Sequence, residues 1–316
     1  MVRAAVIEEF GRDLRMEDVE MEPGPGEVPV EVRASGICGR DLVVWRGGFR
    51  NLRPPLIPGH EVFGELDGRP VGVFGAITCG TCRYCRSGKE NLCESLTFLG
   101  EGRPGGYAEV VDVPLGNVFD LPDSDYPRYA AAACPLATAI HSSRIAGIRE
   151  GERVLVTGAG GGVGIHAIQY LRAIGAKVIS ATSEGKVDVV SRYSDQVVTG
   201  REFSRDVREV DAVLEIVGSD TVNESLRSLR REGRLVLVGN VGGRSIELVR
   251  PAMSIMREHA ILGSAAFTKS EYLEAVRMIH EGMIEPHYRT YPLEGVNDAY
   301  RDVAGGRIVG RAVLVP

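Results

Sequence analysis

The sequence predicts an α/β protein: a doubly wound parallel sheet with flanking helices, inserted between two segments of a β-rich domain. Three observations predict it. Short apolar runs broken by Gly and Pro dominate the chain to about residue 130. Strand-like and helix-like stretches then alternate from Val154 onward, with a glycine-rich turn after the first strand. From Ile284 the pattern returns to strand and turn, ending on the strand-like run 312–315. The expected division is 1–138 with 281–316 for the β-rich domain, and 139–280 for the parallel-sheet domain.

The elements follow in order. The N-terminal MVRAAVIEEFGRDL reads as a strand and a turn, not as a signal peptide. Segments 28–32, 59–66 and 71–74 read as strands, with PGPG at 23–26 as a turn. Segment 154–156 is a short buried-type strand, and 165–174 is the helix after the glycine turn. Strands are expected again at 177–181, 212–217, 234–238 and 260–263.

With 316 residues, 44% hydrophobic and 25% charged, the composition is that of an ordinary globular chain of about two domains. The net charge of −6 is spread with both signs interspersed, which argues against a nucleic-acid partner. The longest weakly polar run, 129–140, is shorter than the roughly 20 residues a membrane span needs. Six cysteines without an export signal fit thiolates kept reduced in the cytoplasm. The expected partner is a small-molecule substrate.

All six cysteines can be assigned to two metal sites. Cys79, Cys82, Cys85 and Cys93 form a C-x2-C-x2-C-x7-C run. Four thiolates close a tetrahedral zinc completely. The ion replaces the core that the lobe 79–93 is too small to build. A ferredoxin-type cluster would end on a shorter gap followed by Pro, and disulfides do not suit a reducing compartment. Cys38 lies in ASGICGRDL, His60 and Glu61 in PGHEVFGEL, and Cys134 in AAACPLATA. Two thiolates and one imidazole leave the fourth zinc position open for water or substrate. Such a zinc can polarise a carbonyl. Asp41 suits the other ring nitrogen of His60, and Glu61 is a further candidate ligand. A lone buried Cys is often only a small hydrophobe, a reading that the neighbouring four-Cys lobe and the nucleotide fold weaken.

The loop after the first parallel strand runs Gly158-Ala159-Gly160-Gly161-Gly162-Val163-Gly164. Glycines let the backbone approach a pyrophosphate, and the helix that follows presents free N–H groups to it. The second strand ends at Thr182-Ser183 where an NAD site usually has an acid. Ser183 can hydrogen-bond a 2′-phosphate and Lys186 can supply charge, so NADPH is expected over NADH; Glu184 argues the other way if it points inward. Ala159, Gly161, Gly162, Val163, Gly164, Thr182, Ser183, Lys186, Val217, Gly239 and Val241 are the candidate cofactor residues.

GHE at 59–61, the cysteine lobe at 79–93, GGVG at 161–164, GRLVLVG at 233–239 and GRIVGRAVL at 306–314 together resemble the zinc-containing medium-chain dehydrogenase/reductase superfamily. That superfamily includes alcohol dehydrogenases and quinone reductases. The resemblance spans essentially the whole chain. It implies a Rossmann domain, a β-rich GroES-like catalytic domain, two zinc ions per chain, and hydride transfer between a nicotinamide and a carbonyl or alcohol held on zinc. It also implies a homodimer or homotetramer, with sheet pairing near Ile261-Leu262-Gly263.

The chain departs from this pattern in four places. Ala159 stands where alcohol dehydrogenases have Gly, as in the quinone and enoyl reductase branch. Arg40 stands two residues after Cys38, where alcohol dehydrogenases carry the Ser or Thr that passes the alcohol's proton outward; guanidinium has no acceptor lone pair. Val43 replaces the histidine that often ends that relay. The stretch 64–73 is trimmed. Arg40 has three readings: a cofactor contact, a contact to an anionic or thioester substrate, or a brace through Asp41 or Glu61. GxCxRD with RGGF at 46–49 also looks like archaeal acryloyl-CoA reductase-type members.

The expected function is an NADPH-dependent zinc oxidoreductase acting on a ketone or aldehyde, with Cys38, His60, Glu61, Cys134, Arg40 and Asp41 at its catalytic site. The alternative is reduction of an activated C=C bond in an enoyl thioester or a quinone. A non-catalytic NADPH-binding protein is the remote alternative.

Overall fold

A computed structural model describes residues 1–240 and 242–316. By contact the chain divides into two compact units. One comprises Met1–Cys134, Thr268–His280 and Pro286–Pro316, the other Pro135–Phe267 and Glu281–Glu285.

The first unit is built on a seven-stranded sheet. Its central strand, Glu27–Ile37, pairs antiparallel with Glu61–Leu66 on one side and with the C-terminal strand Arg311–Val315 on the other. Val110–Pro114 also pairs with the first half of the central strand. The register sets Gly36 opposite Glu61, and Ile37 opposite Ala312. The residues that follow or precede these pairs therefore collect at one end of the sheet. Val30, Val32, Val62, Val71, Val73 and Val111 form an apolar layer, all at 2% exposure or less. β-branched residues dominate it because they fit a pleated, half-covered surface.

The second unit is the expected doubly wound sheet. Six parallel strands run in the order Gln196–Val198, Lys177–Ala181, Arg153–Thr157, Val210–Glu215, Leu229–Leu237, Ala260–Gly263. The strand order reverses between Lys177–Ala181 and Val210–Glu215, on either side of Arg153–Thr157, which is where such sheets bind ligands. The helix Gly162–Ala173 leaves the first strand through the glycine turn. Gly164 is required there, because a Cβ at that position would stand 2.2 Å from the Gly158 carbonyl oxygen. The short edge strand Gln196–Val198 was not expected from the sequence.

The division differs from the sequence expectation at its boundaries, and Glu281–Glu285 falls in the second unit rather than the first. The helix Lys269–His280 was placed with the parallel-sheet domain, yet it groups with the first unit. Tyr272 explains this. It is 2% exposed, and its ring lies 5.6 Å from Phe74, 5.8 Å from Phe119 and 6.4 Å from Phe63. The other boundary falls inside the helix Tyr126–Ala146, at Cys134/Pro135 rather than after residue 138. Among the described residues no helix is long and apolar enough to cross a membrane.

Truncating Tyr272 to Ala should destabilise the chain by about 3–5 kcal/mol, the cost of emptying a buried aromatic site. Urea unfolding measures it, and a loss below about 1 kcal/mol would mean the helix Lys269–His280 is not anchored by this ring.

Candidate metal and cofactor sites

The lobe brings its four thiols together. Sγ of Cys79 lies 4.0 Å from that of Cys85 and 3.5 Å from that of Cys93, and Cys82 lies 3.6 Å from Cys85. A tetrahedron of Zn–S bonds of about 2.3 Å has S···S edges of about 3.8 Å, so the cage fits zinc. Backbone N–H groups of Cys82, Cys79 and Ser95 donate to these sulfurs at 3.3–3.4 Å. Such donors favour thiolate: the backbone around Thr81 and Cys82 pulls the Cys79 thiol down to about 6.

The second constellation assembles from four separate segments of the first unit. Cys38 follows the central strand and caps the short helix Gly39–Trp45. Glu61 opens the strand Glu61–Leu66 and His60 immediately precedes it. Cys134 comes from the helix Tyr126–Ala146, and Arg311 begins the C-terminal strand. One ligand atom from each of Cys38, His60, Glu61 and Cys134 lies within 4.8 Å of the other three. Two soft thiolates, an imidazole and a carboxylate at that spacing suit zinc.

Gly36 makes this convergence possible. A Cβ there would stand 2.1 Å from a Glu61 carboxylate oxygen and 2.3 Å from the Ala130 carbonyl oxygen.

Asp41 behaves as expected. Its carboxylate sits 3.3 Å from His60 Nδ1, which turns Nε2 toward the cluster. It also accepts the Cys38 backbone N–H at 2.7 Å and the Tyr107 hydroxyl at 2.9 Å. Burial opposes charge on His60, but Asp41 outweighs it and raises the imidazole well above its ordinary value. Of the two thiols, Cys38 gives up its proton first: its hydrogen bond with Cys134 lowers it, and the Arg311 and His60 charges add to this.

Arg311 was missed in the sequence reading. It is 4% exposed, and Nη2 donates to Glu61 and, at 3.7 Å, to Cys134 Sγ. Burial, helped by the Cys38 charge, holds Glu61 up at about 7 even though Arg311 pulls it the other way. Glu61 is thus tethered beside the cluster by a permanent cation.

Arg40 is braced, but by neither expected partner. Nε and Nη2 donate to the two carboxylate oxygens of Glu101, and the guanidinium lies over the rings of Phe49 (4.6 Å) and Phe98 (4.8 Å). Glu61 and Asp41 are engaged elsewhere, so the expected brace through them is corrected to Glu101. Val43 fills space against Gly48.

In the second unit a cavity of about 300 Å³ opens beside the glycine turn. Gly161, Thr182, Ser183, Lys186 and Val217 line it, as the sequence reading proposed. Ala159 is buried beneath, its N–H bonded to the Ala181 carbonyl at 3.1 Å. Gly162, Val163 and Gly164 form the first helical turn. Lys186 is partly buried, with Nζ 3.3 Å from the Gly160 carbonyl oxygen, while Glu184 is exposed and lies outside the lining. Gly239 approaches Ile216, whose oxygen would be 2.5 Å from an added Cβ, and does not line the cavity. Val241 lies outside the described residues.

Glu215 was also missed. Fully buried, it accepts Thr157 Oγ1 at 2.7 Å, Thr221 Oγ1 at 2.6 Å, and the N–H groups of Val217 and Gly218 at 3.1 and 2.9 Å. It ties together the ends of two central strands under the cavity. An acid in the apolar run Ala212-Val213-Leu214-Glu215 was a legible signal.

Comparison with known proteins gives two family matches. Residues 24–123 match the alcohol dehydrogenase GroES-like domain, and residues 162–281 match the zinc-binding dehydrogenase family. An acryloyl-coenzyme A reductase from Metallosphaera sedula is 34% identical over 99% of both chains. An NAD-dependent alcohol dehydrogenase from Sulfolobus acidocaldarius is 31% identical over 99% of both. The crystal structure of AibC superposes with a TM-score of 0.90 at 35% identity, covering 100% of this chain and 96% of that one.

The Arg311–Glu61 pair generates a prediction. Arg311→Leu leaves a buried carboxylate without its cation and should cost about 3–5 kcal/mol. Adding Glu61→Gln should recover much of that loss in urea unfolding. Simple addition of the two losses would show that the pair is not coupled.

Proposed function

This chain belongs to the zinc-containing medium-chain dehydrogenase/reductase superfamily and is an oxidoreductase, and from that we propose that it reduces a carbon–carbon double bond conjugated to a carbonyl, as in an enoyl thioester, at the expense of NADPH. The observation that carries this reading is Arg40 locked on Glu101. At that position a permanent cation cannot accept a proton, so a carbonyl oxygen has no hydroxyl there to exchange with. Reduction of a conjugated double bond adds a hydride at the β carbon and a proton at the α carbon. It needs no relay to the oxygen. The similarity to an acryloyl-coenzyme A reductase along the full length adds to this.

Cys38, His60 and Cys134 would hold one zinc, with Glu61 restrained beside it by Arg311. Cys79, Cys82, Cys85 and Cys93 would hold a second, purely structural one. Zinc in the open site would supply Lewis acidity toward a carbonyl oxygen, and the nicotinamide would supply the hydride. Asp41 fixes the His60 ring so that Nε2 faces the cluster. The glycine turn and the start of the helix Gly162–Ala173 would receive the pyrophosphate. Thr182, Ser183 and Lys186 would receive the 2′-phosphate, and the outward Glu184 does not oppose it.

A second reading, reduction of a ketone or aldehyde, is favoured by the intact two-thiolate, one-imidazole set, which is what carbonyl polarisation requires. We also propose a homo-oligomer: the strand Ala260–Gly263 is a sheet edge, and Ile255, Met256 and Ile261 beside it are 74%, 78% and 40% exposed.

NADPH oxidation with acryloyl-CoA, quinones, ketones and aldehydes tests the ranking. The enoyl thioester should be the better substrate by kcat/KM; turnover of ketones or aldehydes alone would overturn the first reading. Elemental analysis should find about two zinc per chain, and Cys38→Ser should lose about one of them. For the cofactor, Lys186→Ala should raise the KM for NADPH about tenfold with little change for NADH. An unaltered NADPH:NADH preference would remove Lys186 from the phosphate site.

A further inference from the structure

A guanidinium carries five N–H donors, and Glu101 takes two of those on Arg40. Nε and Nη2 donate to the two carboxylate oxygens, the second bond being 2.8 Å. This is side-on pairing. Nη1 has no hydrogen-bond partner among the described residues, and the side chain keeps 37% of its surface exposed. End-on pairing would have engaged both terminal nitrogens. The side-on geometry leaves the Nη1–Nη2 edge, itself a two-donor fork that matches an oxyanion.

The fork is also fixed in place. The guanidinium lies over the rings of Phe49 and Phe98, at 4.6 and 4.8 Å. The Phe98 ring meets the His60 ring edge-on, with centroids 6.1 Å apart. The cation is thus part of the wall next to a proposed metal ligand. Glu101 is only 12% exposed, so its hold on Arg40 is weakly screened. Because Glu101 is negative, an anion is accepted only on the far edge, where its distance from that carboxylate is greatest.

We propose that the Nη1–Nη2 edge of Arg40 is a subsite for an oxyanion, a carboxylate or phosphate, borne by the substrate near its reacting carbon. The inference rests on the reductase reading above and adds the class of substrate: acids are preferred over their neutral analogues. Arg40 and Glu101 together set that specificity. Arg40 makes the contact, and Glu101 is a positioning residue that weakens it while orienting it.

Crotonaldehyde and 4-oxobut-2-enoate share a carbon skeleton and differ by the carboxylate. Each offers both a conjugated C=C and a carbonyl, so the pair serves either proposed reaction. The ratio of their kcat/KM values, acid over neutral, should fall about 10–100-fold in Arg40→Gln and rise in Glu101→Gln. An unchanged ratio in Arg40→Gln overturns the subsite. So does a rise in the KM for NADPH that leaves the ratio alone, because the edge would then belong to the cofactor. A readout without turnover separates the two proposals. Succinate binding to the zinc-loaded enzyme, by calorimetry, should weaken about tenfold in Arg40→Gln and tighten in Glu101→Gln. If succinate binding shifts in this way while neither aldehyde is reduced, the reaction is wrong and the subsite stands. If succinate binds all three proteins equally, the subsite is wrong whatever the turnover.

Discussion

Everything at the proposed metal centre depends on how one antiparallel strand trio closes. Arg311–Val315, Glu27–Ile37 and Glu61–Leu66 pair so that Gly36 faces Glu61 and Ile37 faces Ala312. That register delivers Cys38, His60, Glu61 and Arg311 to one sheet end. A slip of one residue would turn each side chain to the opposite face. The register in turn depends on Gly36, because any Cβ there would collide with Glu61 and with the helix that carries Cys134. A backbone constraint thus precedes the chemistry.

The electrostatics follow from that closure. Asp41, Glu61 and His60 are buried together with Cys134, and Arg311 is the buried cation among them. Removing several ionisable groups from water is costly unless each finds a partner. Asp41 finds three, in His60, the Cys38 backbone and Tyr107. Arg311 serves Glu61 and Cys134. Two thiolates are left over as the natural seat of a divalent cation, and ion binding then contributes to the stability of the fold. The four-Cys lobe repeats this logic at a smaller scale. There backbone N–H groups stabilise the thiolates in place of a buried arginine.

What was legible in the sequence was local. The cysteine run and the glycine turn encode their sites in short spacings, because a loop must wrap one ion and a turn must admit one phosphate. The alternation of strand and helix from Val154 onward was readable from local periodicity, and the Asp41 carboxylate does lie beside His60 Nδ1, at 3.3 Å. What escaped was contact at long range. Arg311 meets Glu61 across 250 positions, and Arg40 meets Glu101 across 61. Spacing carries no record of such pairs. The helix Lys269–His280 reads with the parallel-sheet domain because alternation of strand and helix continues through it, whereas by contact the buried Tyr272 groups it with the first unit. Arg40 was recognised as anomalous from its position alone, but its partner, and so its free edge, came from the fold.

The central claim is that the cluster of Cys38, His60 and Cys134 holds zinc in addition to the four-Cys lobe. X-ray absorption at the zinc edge of the purified protein tests it most directly. The account predicts about three sulfur neighbours per zinc, averaged over both sites, with lighter atoms completing the shell. About four sulfurs per zinc and no lighter neighbour would mean that only the lobe is filled, and the proposed centre at Cys38, His60 and Cys134 would be contradicted.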